Sequence, residues 1–364
     1  MSGEILISEE ELGIKEEPIE KQSNPEEETK EAEKKLPPAL FIQAPYGGDA
    51  VQFRGEPTSL MYAISVFADK VHRNQIEGLK DNQMKIMNPA ANDDKFYNDL
   101  KKYIKENHPK VIGISCTTSS SLEARKIAEI AKEINPDIIT IVGGAHERDV
   151  ETKTIQRTDM MDFSAAGDGE YMLDKLLELI YSNPDASPEE IKKLVASKAD
   201  EFSTLEGKGQ LSFLQGDDYK SVNLSGKNID LNQLPIMPRH LLEEKWSKYY
   251  GIFKKNGRDV KTAQIMSCRG CKGGCEYCSE TKRFNYSSAD RVIKEIKAAQ
   301  EQKYKAIFFD DSTFTAFSKD GTRSRESVRD IFNYLKEEDI EWGCQTRVDK
   351  LDESLVKEMK ESGC

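Results

Sequence analysis

Four of the seven cysteines fall within eleven positions, in the stretch SCRGCKGGCEYC at 267–278. Three of them, Cys271, Cys275 and Cys278, have the spacing C-x3-C-x2-C. Three thiolates so close in sequence can wrap one compact cuboidal iron–sulfur cluster. Gly273 and Gly274 let the backbone turn sharply between the ligands, with no Cβ in the way. Three ligands leave one iron of a four-iron cluster without a protein partner, and an open metal position can take a substrate-like molecule. The rival is a structural zinc on the pairs Cys268–Cys271 and Cys275–Cys278. Such pairs are usually a dozen or more residues apart, so that two knuckles can face each other, and here only three residues intervene. Cys268 reads as a small buried thiol, and so does Cys116.

A second set of candidates lies in loops rich in Gly, Ser and Thr: APYGG (44–48), SCTTSSS (115–121), GGAH (143–146) and GDGE (167–170). These loops allow close backbone approach and offer many small donors. They suit a large flat polar ligand edged with amides, and on chemistry alone they also suit a nucleotide. Their candidate contacts are Tyr46, Ser115, Thr117, Ser119, Gly143, Gly144, His146, Gly167, Gly169 and Glu170. His146 reads equally as a helix-start histidine. Asp310 and Asp311 end the apolar run AIFFDD, where barrel active-site residues commonly sit, or they cap the next element. Arg347 can meet a carboxylate or phosphate, or stay solvated.

The elements that must position these groups are legible as alternation. LFIQAPY, QMKIMNP, KVIGIS, DIITIVGG and DFSAAGDGE read as strands, and amphipathic helices follow them. Strict alternation predicts a parallel sheet covered on both faces, a doubly wound domain whose ligand lies beyond the carboxyl ends of the strands. The stretch 184–260 reads as a linker with one helix, a β-hairpin and an extended DLNQLPIMPRHLL. From Lys261 a second alternation begins, with three strand–helix units before Cys364.

The motif SCRGCKGGCEYC resembles the cluster loop of radical S-adenosylmethionine (radical SAM) enzymes, with Tyr277 in the aromatic place before the last cysteine. The resemblance implies a 4Fe-4S cluster on Cys271, Cys275 and Cys278. It implies S-adenosylmethionine on the open iron, cleaved to a 5′-deoxyadenosyl radical, and Tyr277 beside the adenine. A carboxylate at Asp310 or Asp311 would meet the amino group of S-adenosylmethionine. The order VIGISCTTSSS, ITIVGGAHERD, GDGE resembles the cobalamin-binding domain attached to many such enzymes. The family's Asp-x-His-x-x-Gly motif is absent. Asp69 and His72 fall on a predicted helix, and His72 reads as a surface histidine.

The implied fold class is α/β: a doubly wound, Rossmann-like, flavodoxin-type cobalamin-binding domain (38–183), then an incomplete radical SAM partial (β/α) barrel (261–364). The implied chemistry is methyl transfer to carbon. The alternatives are ring formation or rearrangement without cobalamin, or a non-catalytic zinc-binding scaffold. The partners expected are a small-molecule substrate and a reducing donor such as flavodoxin or ferredoxin. The family's barrel has six strand–helix units, so the chain is expected to be truncated, with the third strand of the half-barrel as an open edge.

The bulk composition fits this reading. With 364 residues, 37% apolar and 32% charged, the chain is long enough for two domains. The net charge is −12, of which the Glu/Lys/Pro-rich stretch 1–37, expected to be a disordered tail, carries −7 (five Lys against twelve Glu). Nothing in this balance suits a nucleic-acid partner. No run of eighteen apolar residues predicts a membrane span. The acidic start is not expected to be a secretory signal. The odd cysteine count favours a reducing cytoplasm over a disulfide framework.

Overall fold

The computed structural model describes residues 35–46, 55–89, 93–243, 253–255, 258–271, 273–278, 280, 284–317 and 323–364. Nearly all of the expected acidic tail therefore lies outside the described residues. Its last stretch enters the fold, where Leu36 is buried and its N–H donates to Gly78 O at 2.8 Å.

The first half is built from β1 (Ala39–Gln43), α1 (Thr58–His72), β2 (Met84–Met87), α2 (Asp94–Asn107), β3 (Val111–Ser115), α3 (Ser121–Ile134), β4 (Ile139–Gly143), α4 (Ala145–Asp149), β5 (Phe163–Gly167) and α5 (Glu170–Ser182). The strands are mostly apolar because both faces are covered, as parallel sheets require. Residues 40–42 of β1 and 111–115 of β3 are all buried. The parallel order β2-β1-β3-β4-β5 is the flavodoxin-type order, and its reversal point lies between β1 and β3. Phe96, Leu100, Ile127 and Ala131 of α2 and α3 cover one face, and Ile64, Phe67, Leu176 and Ile180 of α1 and α5 cover the other.

Next come α6 (Pro188–Ser197), α7 (Ala199–Thr204) and the antiparallel pair β6 (Gly209–Gln215) and β7 (Asp218–Asn223). This hairpin, expected inside a linker, joins the first sheet through β5 and extends it to seven strands. Leu211 and Phe213 on β6 are fully buried, so the pairing carries core burial that a solvated linker hairpin would lack. A second hairpin, β8 (Phe253–Lys255) with β9 (Arg258–Val260), also falls in the expected linker. The Phe253 ring packs against Gly343.

The second half holds β10 (Thr262–Ile265), β11 (Cys268–Arg269), β12 (Asn285–Tyr286), α8 (Ala289–Glu301), β13 (Ala306–Phe309), α9 (Arg325–Glu337), β14 (Glu341–Cys344) and α10 (Glu353–Glu361). β10, β13 and β14 form a parallel three-stranded sheet in that order. Phe309, Phe314, Phe332 and Trp342 form its aromatic core, with centroids 4.5 to 6.2 Å apart. Ser288, Ser324 and Asp352 cap α8, α9 and α10. The expected open edge at β14 is partly covered, since Trp342 N–H donates to Gly363 O at 3.1 Å. Among the described residues, no helix is long and apolar enough to cross a membrane.

Candidate cofactor site between the strand ends and the cysteine loop

β11 and β12 pair antiparallel, Cys268 with Tyr286 and Arg269 with Asn285, and so pin both feet of the cysteine loop. Within it, Gly273 N–H donates to Cys271 Sγ at 3.3 Å, and a Cβ on Gly273 would lie 3.3 Å from Cys271 Sγ and 3.6 Å from Cys275 Sγ. Both thiols thus close on the glycine that the spacing had singled out. Cys271 Sγ also meets Thr313 Oγ1 at 3.3 Å. Cys271 and Cys275 are half-buried and Cys278 is exposed.

The geometry bears on the zinc alternative. A mononuclear zinc needs every sulfur about 2.3 Å from one point. Among the described residues, Cys271, Cys275 and Cys278 are not a group whose ligand atoms all lie within 4.8 Å of one another. A cuboidal cluster makes no such demand, because each thiolate meets a different iron. Cys268 is buried, its thiol faces Thr313 O at 3.9 Å, and burial raises its pKa and keeps it protonated. The residues present fit a three-cysteine cluster better than a four-cysteine zinc.

Facing this loop, a cavity of about 800 Å³ opens at the carboxyl ends of the first sheet. Ser115, Gly143, Gly144, Gly167, Gly169 and Glu170 line one side of it. Arg269, Gly270, Glu280 and Asp310 line the other. A smaller adjoining cavity of about 290 Å³ takes Tyr46 and Thr117 into its wall and shares Ser115, Gly144 and Asp310. Gly144 has φ +99°, and a Cβ there would meet Cys116 O at 2.4 Å. Glycine is therefore required here for the ends of β3 and β4 to pack this closely.

Three expected contacts are placed differently. Ser119 and His146 are in neither lining. Ser119 Oγ is 3.0 Å from Thr117 Oγ1 in its own loop, and His146 Nδ1 is 3.2 Å from Thr118 Oγ1 in the neighbouring strand-end loop. Asp311, the third, is buried and lines neither cavity. Its Oδ1 accepts from Ser267 N at 2.7 Å and Cys268 N at 2.9 Å, while Oδ2 accepts from Ser267 Oγ. A carboxylate with both oxygens spent on the strand end that launches the cysteine loop is a structural staple. Arg323 backs it, donating to Ser267 Oγ and Phe314 O, both at 2.9 Å.

Asp310 keeps the open position. Burial, with the Asp311 charge behind it, pushes its pKa up to about 6, against a hydrogen bond from Thr58. Tyr277 is 93% exposed and stands against Cys275, whose hydrogen bond raises the phenol pKa. Arg347 Nε donates to Asp349 Oδ1 at 2.8 Å, and its guanidinium reaches to the cysteine loop, 2.7 Å from where a Gly273 Cβ would stand.

Arg269 was missed by sequence reasoning. It projects from the cysteine loop to Asp168 Oδ1 at 3.3 Å and to Glu170 Oε1, in the GDGE loop of the first half. Burial works against its charge, and Glu170 and Asp168 outweigh that cost. Asp168 Oδ2 also accepts from Lys208 N at 2.9 Å. An arginine two positions before the first cluster cysteine was the available signal. Its partner, 99 positions away, was not.

The B12 binding domain family model matches residues 48–177, the stretch that supplies one wall of the cavity. That stretch is similar to B12-binding domains. Over 317 residues it is 28% identical to an uncharacterized methyltransferase of Pyrococcus horikoshii, covering 85% of this chain and 59% of that protein. It is 23% identical to an anaerobic magnesium-protoporphyrin IX monomethyl ester cyclase of Rubrivivax gelatinosus, over 75% of this chain and 46% of that one. The chain thus spans about half the length of these curated relatives. The radical S-adenosylmethionine methyltransferase TsrM of Kitasatospora setae, solved with cobalamin and a [4Fe-4S] cluster bound, shares the fold. Its TM-score is 0.57 at 14% identity, over 90% of this chain and 57% of that one. The chain is thus similar to B12-binding domains over residues 48–177, to these methyltransferase and cyclase relatives in sequence, and to TsrM in fold.

Proposed function

We propose that this chain is the cofactor-binding portion of a cobalamin-dependent radical SAM enzyme that transfers a methyl group to carbon. The observation that carries the reading is the shared cavity: strand ends of a B12-binding domain form one wall, and the feet of a three-cysteine loop form the other. Cys271, Cys275 and Cys278 would hold a 4Fe-4S cluster. The glycine-lined ends of β3, β4 and β5, with Tyr46 and Thr117 beside them, would cradle the corrin. When bound, the reduced cluster supplies the electron that splits a carbon–sulfur bond of S-adenosylmethionine, and cobalamin supplies a methyl carrier. Asp310 would accept from the amino group of S-adenosylmethionine, and Arg269 would hold the cluster loop against the corrin-side loop. The electron would come from a reducing donor such as flavodoxin or ferredoxin, in a reducing cytoplasm. The methyltransferase names of the Pyrococcus relative and of TsrM support methyl transfer, and the cyclase relative keeps ring formation as the second reading.

Anaerobic reconstitution with iron and sulfide tests this. The expected product binds about four irons per chain, and its visible spectrum shifts when S-adenosylmethionine is added. Cys271→Ala, Cys275→Ala and Cys278→Ala together remove the absorbance. Iron binding that survives all three substitutions, or a spectrum blind to S-adenosylmethionine, sinks the reading. Hydroxocobalamin retained through gel filtration by the same protein separates the methyl-transfer reading from one without corrin.

A further inference from the structure

His72, Asp81 and His240 meet on the surface, and nothing in the proposed cofactor chemistry uses them. His72 closes α1, Asp81 opens the turn before β2, and His240 lies in the 3-10 turn Arg239–Leu241. His72 Nδ1 is 2.7 Å from Asp81 Oδ2, and His240 Nε2 is 3.9 Å from the same oxygen. One ligand atom from each residue lies within 4.8 Å of the other two. The imidazole centroids are 5.8 Å apart. The second Asp81 oxygen, Oδ1, is buried without a hydrogen-bond partner. These three residues are thus half of the four-histidine complement plus a carboxylate with unspent acceptor capacity, gathered from three separate segments.

We propose that His72, Asp81 and His240 form a binding site for one divalent transition cation of the zinc type, with water completing the coordination. Two imidazoles and a carboxylate are the donor set that borderline cations select, whereas calcium and magnesium demand oxygen ligands. Bonds of about 2.0–2.2 Å need only a small parting of His72 from Asp81 and a small inward move of His240. The neighbouring cations are already engaged: Arg73 pairs with Asp69 at 2.9 Å, and Lys80 Nζ donates to Asn74 Oδ1 at 3.3 Å. The residue before His240, Arg239, is fully buried between Glu56 and Glu295. An ion here would fasten the outer end of that segment to α1, at a point outside the cofactor cavity.

Cobalt(II) titrated into the full chain with Cys271, Cys275 and Cys278 replaced by Ala reads the site directly. The expected result is one equivalent bound with weak visible d–d bands and no thiolate charge-transfer band. His72→Asn or His240→Asn should each weaken binding by about tenfold or more. Zinc chloride should raise the melting temperature of the parent and leave those variants unmoved. If the triple-alanine chain does not fold, calorimetric zinc titration of the cluster-loaded protein and its two histidine variants gives the same readout. Affinity unchanged by both substitutions, a thiolate band, or no binding at ~1 mM metal overturns the proposal.

Discussion

Asp310 carries the sharpest residue-scale expectation. Its carboxyl is pushed up to about 6, chiefly by burial, and the ionised form is the one that can hold an ammonium group. That form is present above about pH 6 and is lost as pH falls through that value. Binding of S-adenosylmethionine to the cluster-loaded protein should therefore strengthen as pH rises from 5 to 7, read from the cluster spectrum. Asp310→Asn should weaken binding and flatten the profile; an unchanged profile would remove Asp310 from the site. The effect on stability runs the other way. A folded pKa above the ordinary 3.8 means that this residue's contribution is present below that value and is lost as pH rises through 6. The Asn variant should gain stability at pH 7.5 while losing the ligand. Asp311, its neighbour in sequence, shows why type and position do not suffice: both lie just past the end of β13, yet Asp310 lines the cavity while the Asp311 oxygens are spent on Ser267 and Cys268.

At the scale of elements, what was readable was whatever leaves a periodic or compositional mark. The five parallel strands announced themselves as short apolar runs, and the cysteine loop as spacing between a strand and a helix. The β8–β9 hairpin left no such mark: FKK and RDV are mostly charged, and their pairing depends on Phe253 finding Gly343. The β6–β7 hairpin was readable as a hairpin, but the identity of its neighbour was not. That is set by Leu211 and Phe213 reaching the core beside β5. Ser119 and His146 were expected in the site from their loops, yet neither lines the cavities: Ser119 meets Thr117 and His146 meets Thr118 of the neighbouring loop, and sequence does not record which way a loop side chain points. Gly144 is the converse case, where the strand end made the glycine suspect and the backbone shows the reason. Gly144→Ala would force a Cβ against Cys116 O in a left-handed conformation, costing about 2 kcal/mol and displacing the β4 loop. Cobalamin retention should fall sharply in this variant while its iron content stays normal, and loss of both together would mean that the fold, not the cradle, had failed.

Across the whole molecule, the relation between the two sheets rests on charges inside the protein. Arg239, from the segment between them, donates to Glu56 at 3.0 Å and Glu295 at 3.2 Å, and all three side chains are essentially without solvent contact. Glu56 lies just before α1 and also accepts from Gln264 N of β10 at 2.8 Å. Glu295 lies on α8, accepts from Met237 N at 3.1 Å and pairs with Arg291 at 2.8 Å. One arginine thus bridges a carboxylate from each half, with Arg291 as a second cation on Glu295. A buried ion cluster is a weak source of net stability, since desolvation cancels most of its attraction, but removing its central charge leaves Glu56 without its cation and Glu295 with Arg291 alone. Arg239→Met should therefore cost about 3–5 kcal/mol in the cofactor-free protein, measured by urea unfolding. Arg239→Met with Glu56→Gln and Glu295→Gln should recover much of that loss, because each neutral amide is far less costly to bury than a stranded anion. If the single substitution costs under about 1 kcal/mol, the two halves are held by their apolar contacts alone, and the arginine is a passenger. If the triple variant is no better than the single, the guanidinium acts by packing and hydrogen bonds to Gln264 O, not by its charge.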